Sequence, residues 1–383
     1  MLALQSRLCR CLLFSTRRMT VSTGSSRSFG MDENNTNSLI RHVDVRVKEN
    51  DIQNGALGIL KVIRPEWDQK QITFKLLTDG ITNKLVGCRP DGADEAETVL
   101  IRIYGNKTDL LIDRKAETKN ILLLNRAGLA PELYATFKNG LAYQYVPGIV
   151  LNWKMARRSD VYKLVARRMA RLHKVCVGQA EKTQPVIWDK LRKFLDLVPA
   201  TFTDPEKNAR CNELVTPKSK IEEEVKVLRL HLEHIDSPTV FAHNDLLMGN
   251  IILTDGGKEV GFIDYEYAAF NYQAFDIGNH FTEYAGLDDM DYARYPDKML
   301  QTDWLRTYLT EYLGCEPSQA QIERLYVQVN KFSLLSHVFW GVWALIQAEH
   351  SYIDFDYIKY ASMRFDEYFA KKDTFLSLKL PRS

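Results

Sequence analysis

The sequence predicts an α+β fold of two lobes, a small N-terminal lobe with an antiparallel sheet and a larger, mainly helical C-terminal lobe. Alternating apolar and polar residues over 72–77, 83–88 and 98–104 predict three successive strands bounded by turn-forming residues. A helical pattern follows from about 110 to 126, and beyond the Pro-Gly pair at 147–148 the apolar spacing is mostly helical. Strands that come first and helices that come later indicate an α+β architecture.

The other elements of the small lobe follow in chain order. Helical periodicity covers 39–66 and ends near Pro65. A strand at 141–145 precedes the Pro-Gly pair, where a hinge between two lobes is expected. Three antiparallel strands, a helix and this hinge strand are the order of a kinase small lobe.

In the larger lobe, three short apolar runs predict strands around a polar loop. The run at 239–242 leads into the loop, and 251–253 forms a hairpin with 260–263 across the tight turn at 255–257. Residues 198–218 are polar and irregular, which predicts a surface loop.

The composition suggests three segments. With 383 residues and 45% hydrophobic content, the chain is long enough to bury a substantial core. We place the N-lobe at 39–146 and the C-lobe at 147–383, and leave 1–38 outside the fold as a leader. The first 31 residues carry five arginines and no acidic residue. That composition is typical of a mitochondrial transit peptide, and a disordered basic extension is the alternative.

Charge and cysteine usage exclude several classes of function. Lys and Arg number 51 against 49 Asp and Glu, a net charge of +2, so no basic groove for nucleic acid is expected. The six cysteines are scattered without metal-ligand spacing, which argues against a disulfide framework or a zinc site and for a reducing compartment. The apolar segment 332–348 is interrupted by Ser333, Ser336, His337 and Gln347, so it predicts a buried helix and no integral membrane segment.

A set of residues suited to phosphoryl transfer lies in and after the polar loop. Asn250 follows Asp245 by five residues, and Asp264 ends the hairpin. Transfer of a γ-phosphoryl group needs one carboxylate to orient the attacking hydroxyl, and oxygen ligands that hold Mg²⁺ against the phosphates. Asp245 fits the first role, and Asn250 and Asp264 fit the second. The spacing is that of the kinase catalytic loop, with Asn244 in place of the usual Arg, and the alternative is a chance match by a polar hairpin.

These residues and several later motifs resemble the choline/ethanolamine kinase family. The matching segments are HND at 243–245 with Asn250, IDYEY at 263–267, FDIGNHF at 275–281, WGVW at 340–343 and RFDEYF at 364–369. The resemblance covers roughly residues 39–370, and within the family the chain is most similar to ethanolamine kinases. It implies a protein-kinase-like bilobal fold and ATP-dependent phosphorylation of an amino alcohol. For ethanolamine, this is the first step of phosphatidylethanolamine synthesis by the CDP-ethanolamine route.

On the nucleotide side, the resemblance assigns ATP to the small lobe and the hinge. The turn at 78–84 lies where kinases place a phosphate-covering loop, although its single glycine makes no glycine-rich motif. Arg102 stands where protein kinases carry a strand Lys, and an Arg there can hold phosphate through two hydrogen bonds. Glu117 is its candidate partner, with an ordinary surface ion pair as the alternative. The predicted nucleotide contacts are Asp79, Gly80, Thr82, Asn83, Arg102, Glu117, Gln144, Tyr145 and Val146.

On the acceptor side, aromatic residues predict a site for a cation. Trp340 and Trp343 are three positions apart and so share one helix face, with Tyr357 and Tyr360 nearby in sequence. Ring faces attract ammonium groups, although the same residues could simply belong to the core. The family resemblance favours the amine site.

Acidic residues bear on which amine is bound. A quaternary ammonium has no N–H donors, whereas a primary ammonium carries three and needs oxygen acceptors. Glu283 is one candidate acceptor, and Asp288 stands where choline kinases tend to have an aromatic residue. This departure favours ethanolamine. The alternative is that Asp288, Asp289 and Asp291 form an acidic surface loop.

Four further residues are expected to support the site without reacting. Asp276 is predicted to brace the catalytic loop through its backbone N–H groups, and His243, Asn279 and His280 are placed in the same network.

The sequence therefore predicts a cytoplasmic enzyme that uses ATP and Mg²⁺ to phosphorylate ethanolamine. Mitochondrial targeting by the leader is the alternative location. A choline kinase or an aminoglycoside-like phosphotransferase is the alternative activity. A kinase-shaped binding scaffold would be expected to lack the base or a metal ligand, and Asp245, Asn250 and Asp264 are all present. No nucleic-acid partner is expected, and a homodimer is left open.

Overall fold

The computed structural model describes residues 40–48, 50–77, 83–105, 111–175, 183–287, 289–351 and 353–382. The chain from Ile40 onward forms one compact unit. The predicted leader lies outside the described residues, and the domain limits at 39–146 and 147–383 stay predictions.

The N-terminal part is built on a sheet whose strands, in chain order, are β1 (Arg41–Val43), β2 (Ile72–Leu77), β3 (Asn83–Pro90), β4 (Val99–Tyr104), β5 (Leu133–Phe137) and β6 (Gly140–Gln144). Their spatial order is β1-β5-β6-β4-β3-β2. The pairs from β2 to β5 are antiparallel, whereas β1 runs parallel to β5. The three predicted strands and the hinge strand are therefore confirmed.

Two helices flank this sheet, α1 (Ile52–Ile63) and α2 (Arg114–Arg126). Helix α1 buries Ile59 and Leu60 with the sheet residues in a small hydrophobic cluster. Asp113 caps the N-terminus of α2, and its carboxylate accepts the backbone N–H groups of Lys115 and Ala116 at 3.0 Å. Its apolar side packs into the larger cluster of the C-terminal part, which leaves Glu117 of its first turn buried beside the sheet.

The C-terminal part is mainly helical. Its helices are α3 (Trp153–Ala156), α4 (Ser159–His173), α5 (Ile187–Leu197), α6 (Pro205–Leu214), α7 (Lys218–Leu232), α8 (Gln273–Thr282), α9 (Lys298–Leu313), α10 (Gln319–His350) and α11 (Tyr357–Leu376). Helix α10 is buried over most of its length, and α8 and α11 pack against it. The helix predicted over 332–348 lies inside α10 and is confirmed as buried. None of the helices in the described ranges is long and apolar enough to cross a membrane.

Short strands carry the predicted loop motif. They are β7 (Ile149–Val150), β8 (Thr239–Ala242), β9 (Ile251–Thr254), β10 (Glu259–Phe262) and β11 (Ala269–Tyr272). Strands β9 and β10 form the predicted hairpin, with Ile251 opposite Phe262. The N–H of Ile263 donates to the carbonyl oxygen of Asn250 at 3.0 Å, which brings Asp264 back beside Asn250.

Two predicted segments were wrong. The helix predicted over 39–66 is instead the strand β1 followed, after an extended stretch, by α1, because β1 extends the sheet beyond β5. The loop predicted at 198–218 contains α6, which begins at Asp204. The carboxylate of Asp204 accepts N–H groups of the first turn, and Pro205 follows it at a position where proline favours a helix start.

Gly140, the first residue of β6, provides a test of the packing around β4. A Cβ atom there would lie 2.0 Å from the carbonyl oxygen of Arg102 and 2.3 Å from Cζ of Phe137. We expect Gly140→Ala to lower the free energy of unfolding by about 1–3 kcal/mol, since a strand carbonyl cannot move aside cheaply. Gly58→Ala in α1 is the matched control. Its nearest neighbour would be 3.7 Å away, so we expect a gain of about 0.5–1 kcal/mol from reduced backbone entropy in the unfolded state. Urea denaturation measures both, and a Gly140→Ala variant as stable as the unaltered protein would contradict this packing.

Candidate active site

The catalytic loop, residues 243–250, leaves the end of β8 and is held by Asp276 of α8. The two carboxylate oxygens of Asp276 accept the backbone N–H groups of His243 at 2.9 Å and Asn244 at 2.7 Å. Asn244 has a left-handed backbone with φ of 66°, a conformation that Asn tolerates better than most residues. Its side-chain amide donates to the carbonyl oxygen of Tyr267 at 3.0 Å and accepts from Asn271 at 2.7 Å. These bonds hold the turn that presents Asp245.

Asp276 has a further hydrogen-bond partner, His173, which was not predicted from the sequence. Nε2 of His173, in α4, lies 2.8 Å from Oδ2 of Asp276, and Nδ1 of His173 lies 2.7 Å from the hydroxyl of Tyr308. Burial by itself would raise the pKa of Asp276, but the hydrogen bond and charge of His173 and the neighbouring His243 hold it below its ordinary value. Asp276 therefore holds the loop as an ionised carboxylate in the protein interior.

The other two predicted support residues also make buried bonds. Nδ1 of His280 lies 3.0 Å from the carbonyl oxygen of Leu246 in the catalytic loop. Burial lowers the pKa of His280 to about 4, so the ring is neutral at pH 7. Asn279 faces the other way, and its Oδ1 accepts Nε1–H of Trp340 at 2.7 Å. Helix α8 thus positions the catalytic loop and an aromatic wall at once.

Asp245 has a partly buried carboxylate whose pKa lies well above its ordinary value. Burial is the largest cause, and the nearby charges of Asp264, Glu283 and Glu266 add to it, while Lys190 opposes it. The side-chain nitrogen of Asn250 donates to the backbone carbonyl of Asp245 at 2.8 Å. This bond closes the loop across the five-residue spacing read from the sequence.

Asp264 lies just after β10 in a left-handed conformation, with φ of 62°. Its Oδ1 accepts Nη1 of Arg102 at 2.8 Å. Burial is the largest effect on the pKa of Asp264 and raises it to about 7. Arg102 lowers this pKa, but the negative charges of Glu266 and Glu117 offset the effect of Arg102.

Arg102 is the centre of an ionic cluster. Arg102 is 2% exposed, and its guanidinium contacts the carboxylates of Asp264, Glu117 and Glu266. Nη2 lies 3.1 Å from Glu117 and also forms an ion pair with Glu266. Arg114 approaches Glu117 at 3.0 Å and Glu266 at 3.1 Å. The predicted pair of Arg102 and Glu117 is thus present, but it is buried and larger than a surface pair.

Glu266 was not predicted from the sequence as a site residue. It stands two residues after Asp264, so its position in the same motif was the available signal. Asn83, predicted as a nucleotide contact, donates from Nδ2 to Glu266 at 3.1 Å. Glu266 therefore links the first turn of α2, the strand β4 and the residue at the start of β3.

Asn250 and Asp264 have the groups that a magnesium ion requires. The bond from Asn250 to Asp245 uses the amide nitrogen, which leaves its amide oxygen for another partner, and Asp264 meets Arg102 through only one of its two oxygens. Carboxylate and amide oxygens are ligands that suit Mg²⁺. A cation would also relieve the repulsion that raises the pKa of Asp245 and Asp264. These residues fit the ion.

A cavity of about 300 Å³ connects the hinge with the catalytic loop. Its wall near the hinge includes Gln144, Tyr145 and Val146, and the apolar side chains of Leu85, Leu100 and Ile252 lie around them. An apolar slot beside hinge backbone groups suits a flat base such as adenine.

The end of the cavity away from the hinge is lined by aromatic side chains and by the carboxylate of Glu283. Trp340 and Trp343 are packed edge to face at 5.5 Å, and Tyr267 packs against Trp340 at 5.2 Å between ring centroids. Nε1 of Trp343 donates to the hydroxyl of Tyr267 at 2.9 Å. Tyr360 and Glu283 also line this end. Tyr267 was missed in the sequence, although it ends the motif that contains Asp264.

Several predicted site residues are placed elsewhere. Tyr357 is absent from the cavity lining, and its ring packs on Trp343 at 5.9 Å between centroids. Arg102, Glu117 and Asn83 lie behind the cavity in the ionic cluster. The predicted contacts Asp79, Gly80, Thr82 and Asp288 lie outside the described residues.

The chain is similar to known proteins over most of its length. The model of the family "Choline/ethanolamine kinase" matches residues 74–369. The chain is 45% identical to an ethanolamine kinase of Drosophila melanogaster, over 91% of this chain and 82% of that protein. Its fold is similar to that of an ethanolamine kinase of Plasmodium vivax, with a TM-score of 0.73 and 26% identity over 85% of this chain and 90% of the other. It is also similar to a choline kinase of Cryptosporidium parvum, with a TM-score of 0.70 and 26% identity over 84% of this chain and 97% of the other.

Proposed function

Because this chain belongs to the choline/ethanolamine kinase family, we propose that it transfers the γ-phosphoryl group of ATP to the hydroxyl group of ethanolamine. The observation that carries this proposal is the shared cavity. Asp245 lines it together with an aromatic wall and the acid Glu283. A small amino alcohol can therefore place its hydroxyl at the carboxylate and its ammonium at the rings.

The residues divide the work of the reaction between them. Asp245 accepts a hydrogen bond from the substrate hydroxyl and receives its proton as the oxygen attacks phosphorus. Asp276 and Asn244 keep that carboxylate at a fixed place, since they hold the backbone on which it is carried. Positioning of this kind, together with electrostatic stabilisation, is the main contribution that a protein makes to phosphoryl transfer.

Asn250 and Asp264 are the residues that would hold Mg²⁺, which neutralises charge on the phosphate oxygens when it is bound. Arg102 lies next to Asp264 and carries a permanent positive charge on the same side of the cavity. We propose that this charge attracts the phosphates from behind the cavity wall, and that Glu117 and Glu266 hold the guanidinium in place.

Ethanolamine is favoured over choline by the acid at the aromatic end. A primary ammonium has three N–H donors, and the carboxylate of Glu283 offers an acceptor for one of them. Choline is the second candidate, because Trp340, Trp343 and Tyr360 present ring faces that also attract a quaternary ammonium.

Measurement of ADP release from MgATP with each amine tests the proposal. We expect turnover with both, and a higher kcat/KM for ethanolamine by about tenfold or more, because a charge-assisted hydrogen bond contributes about 1.5–3 kcal/mol. A higher kcat/KM for choline would make choline the substrate. Binding of ATP without turnover on either amine would instead support a kinase-shaped scaffold.

A further inference from the structure

Arg364 is buried directly behind the aromatic end of the cavity. Its side chain is 2% exposed, in α11, one helical turn after Tyr360. Glu283 and Tyr360, which it contacts, are each 5% exposed and line the cavity. The guanidinium is therefore one layer away from the bound substrate.

One guanidinium satisfies three neighbours. Nη2 of Arg364 forms an ion pair with Oε1 of Glu283 and also donates to the hydroxyl of Tyr360 at 2.7 Å. Nε donates to the same hydroxyl at 3.0 Å, and Nη1 donates to Oγ1 of Thr282 at 3.2 Å. The planar fork of an arginine is suited to such fixed, multiple contacts.

These bonds decide which oxygen can accept from a substrate. The phenol oxygen of Tyr360 has two lone pairs, and two N–H groups of Arg364 point at them. The hydroxyl is thus left as a donor. Oε1 of Glu283 is engaged by Arg364, with Thr282 at 3.5 Å, whereas Oε2 has no hydrogen-bond partner among the described residues. Oε2 of Glu283 is therefore the oxygen at this part of the cavity wall that can accept a hydrogen bond from a substrate.

We propose that Arg364 is a positioning residue that determines amine specificity. It holds Glu283 so that Oε2 faces an N–H group of a primary ammonium, and it turns Tyr360 into a ring face and a donor that cannot compete for that group. This inference rests on the proposed function and names how the amine end of the same site tells ethanolamine from choline.

The role predicts a dependence on the number of N–H donors in the acceptor. Ethanolamine, its N-methyl and N,N-dimethyl derivatives and choline carry three, two, one and no N–H groups on the ammonium. For the unaltered protein we expect kcat/KM to fall along this series. In Arg364→Met we expect kcat/KM for ethanolamine to fall by about tenfold or more, mainly through KM, and the value for choline to change by less than about threefold. KM for ATP should stay within about twofold, which separates loss of amine recognition from general damage.

A double-mutant cycle shows whether Arg364 acts through Glu283. In a Glu283→Gln background, the further change Arg364→Met should alter kcat/KM for ethanolamine by less than about twofold, because the group that it positions is already changed. That double variant also has no unpaired buried charge, so it remains usable where Arg364→Met alone fails to fold. Arg364→Lys keeps the charge without the fork, and we expect an intermediate loss with ethanolamine that is absent in the Glu283→Gln background.

The outcomes separate this inference from the proposed function. An equal loss for all four acceptors, or the same loss in both backgrounds, would overturn the role of Arg364 and leave ethanolamine phosphorylation standing. An unaltered protein that prefers choline, or that turns over none of the four amines, would overturn the proposed function and this inference with it.

Discussion

Replacement of Asp245 by Asn is expected to lower kcat for ethanolamine phosphorylation by about 10³-fold, with KM for ATP changed by less than about threefold. The amide has nearly the same shape, so the loop held by Asp276 should keep its conformation. It cannot receive the proton of the attacking hydroxyl. ADP release under saturating MgATP and ethanolamine measures the effect.

Asp189→Asn is a matched control for Asp245→Asn, since the Asp189 side chain is 75% exposed and forms an ion pair with the exposed Arg192. We expect its kcat to equal that of the unaltered protein. Retention of more than about a tenth of kcat by Asp245→Asn would show that Asp245 is not the general base.

The second large effect concerns the folded state. We expect Arg102→Met to lower the free energy of unfolding by about 3–5 kcal/mol, because Glu117, Glu266 and Asp264 would lose the cation that they share in the interior. Urea denaturation followed by circular dichroism measures it. The loss should shrink as the pH is lowered. Loss of Arg102 removes a counter-charge from Asp264 and Glu266 and so raises their pKa in the folded state. The folded variant then binds more protons than the unfolded chain and gains stability as protons are added.

An exposed arginine provides the comparison for this variant. Arg158 and Asp160 form an ion pair in which the two side chains are 58% and 63% exposed. We expect Arg158→Met to leave the free energy of unfolding almost unchanged, because solvent screens that pair. Equal losses for the two variants would mean that the cluster around Arg102 is hydrated and contributes little to stability.

The site residues that were predicted from the sequence lie in groups of residues close to one another along the chain. Asp245, Asn250 and Asp264 lie within one loop and one hairpin, where backbone geometry links positions a few residues apart. Chain spacing alone therefore placed Asp264 beside Asn250, and the register of β9 with β10 agrees. Trp340 and Trp343 were predicted to share a face by the same local argument, applied to a helix.

The residues that were missed join elements far apart in the chain. Arg102 and Glu266 are separated by 164 positions, His173 and Asp276 by 103, and Arg364 and Glu283 by 81. No periodicity in the sequence indicates such a pair, since the two partners are far apart in the chain and each is by itself an ordinary charged residue. Helix α6 was not predicted for a different reason. Its sequence is polar and was read as a loop, although Asp204 and Pro205 are residues typical of a helix N-terminus.

Patterns in the sequence were sufficient to predict the α+β plan, the succession of strands β2 to β4 along the chain and the hairpin that carries Asn250 and Asp264. Those features depend on short-range periods and spacings, which backbone geometry converts directly into structure. How the charges are paired, and which oxygen of Glu283 is engaged by Arg364, follows from the tertiary structure alone. Burial makes an unpaired charge costly, so the partners of Arg102 and Arg364 follow from which distant elements pack together.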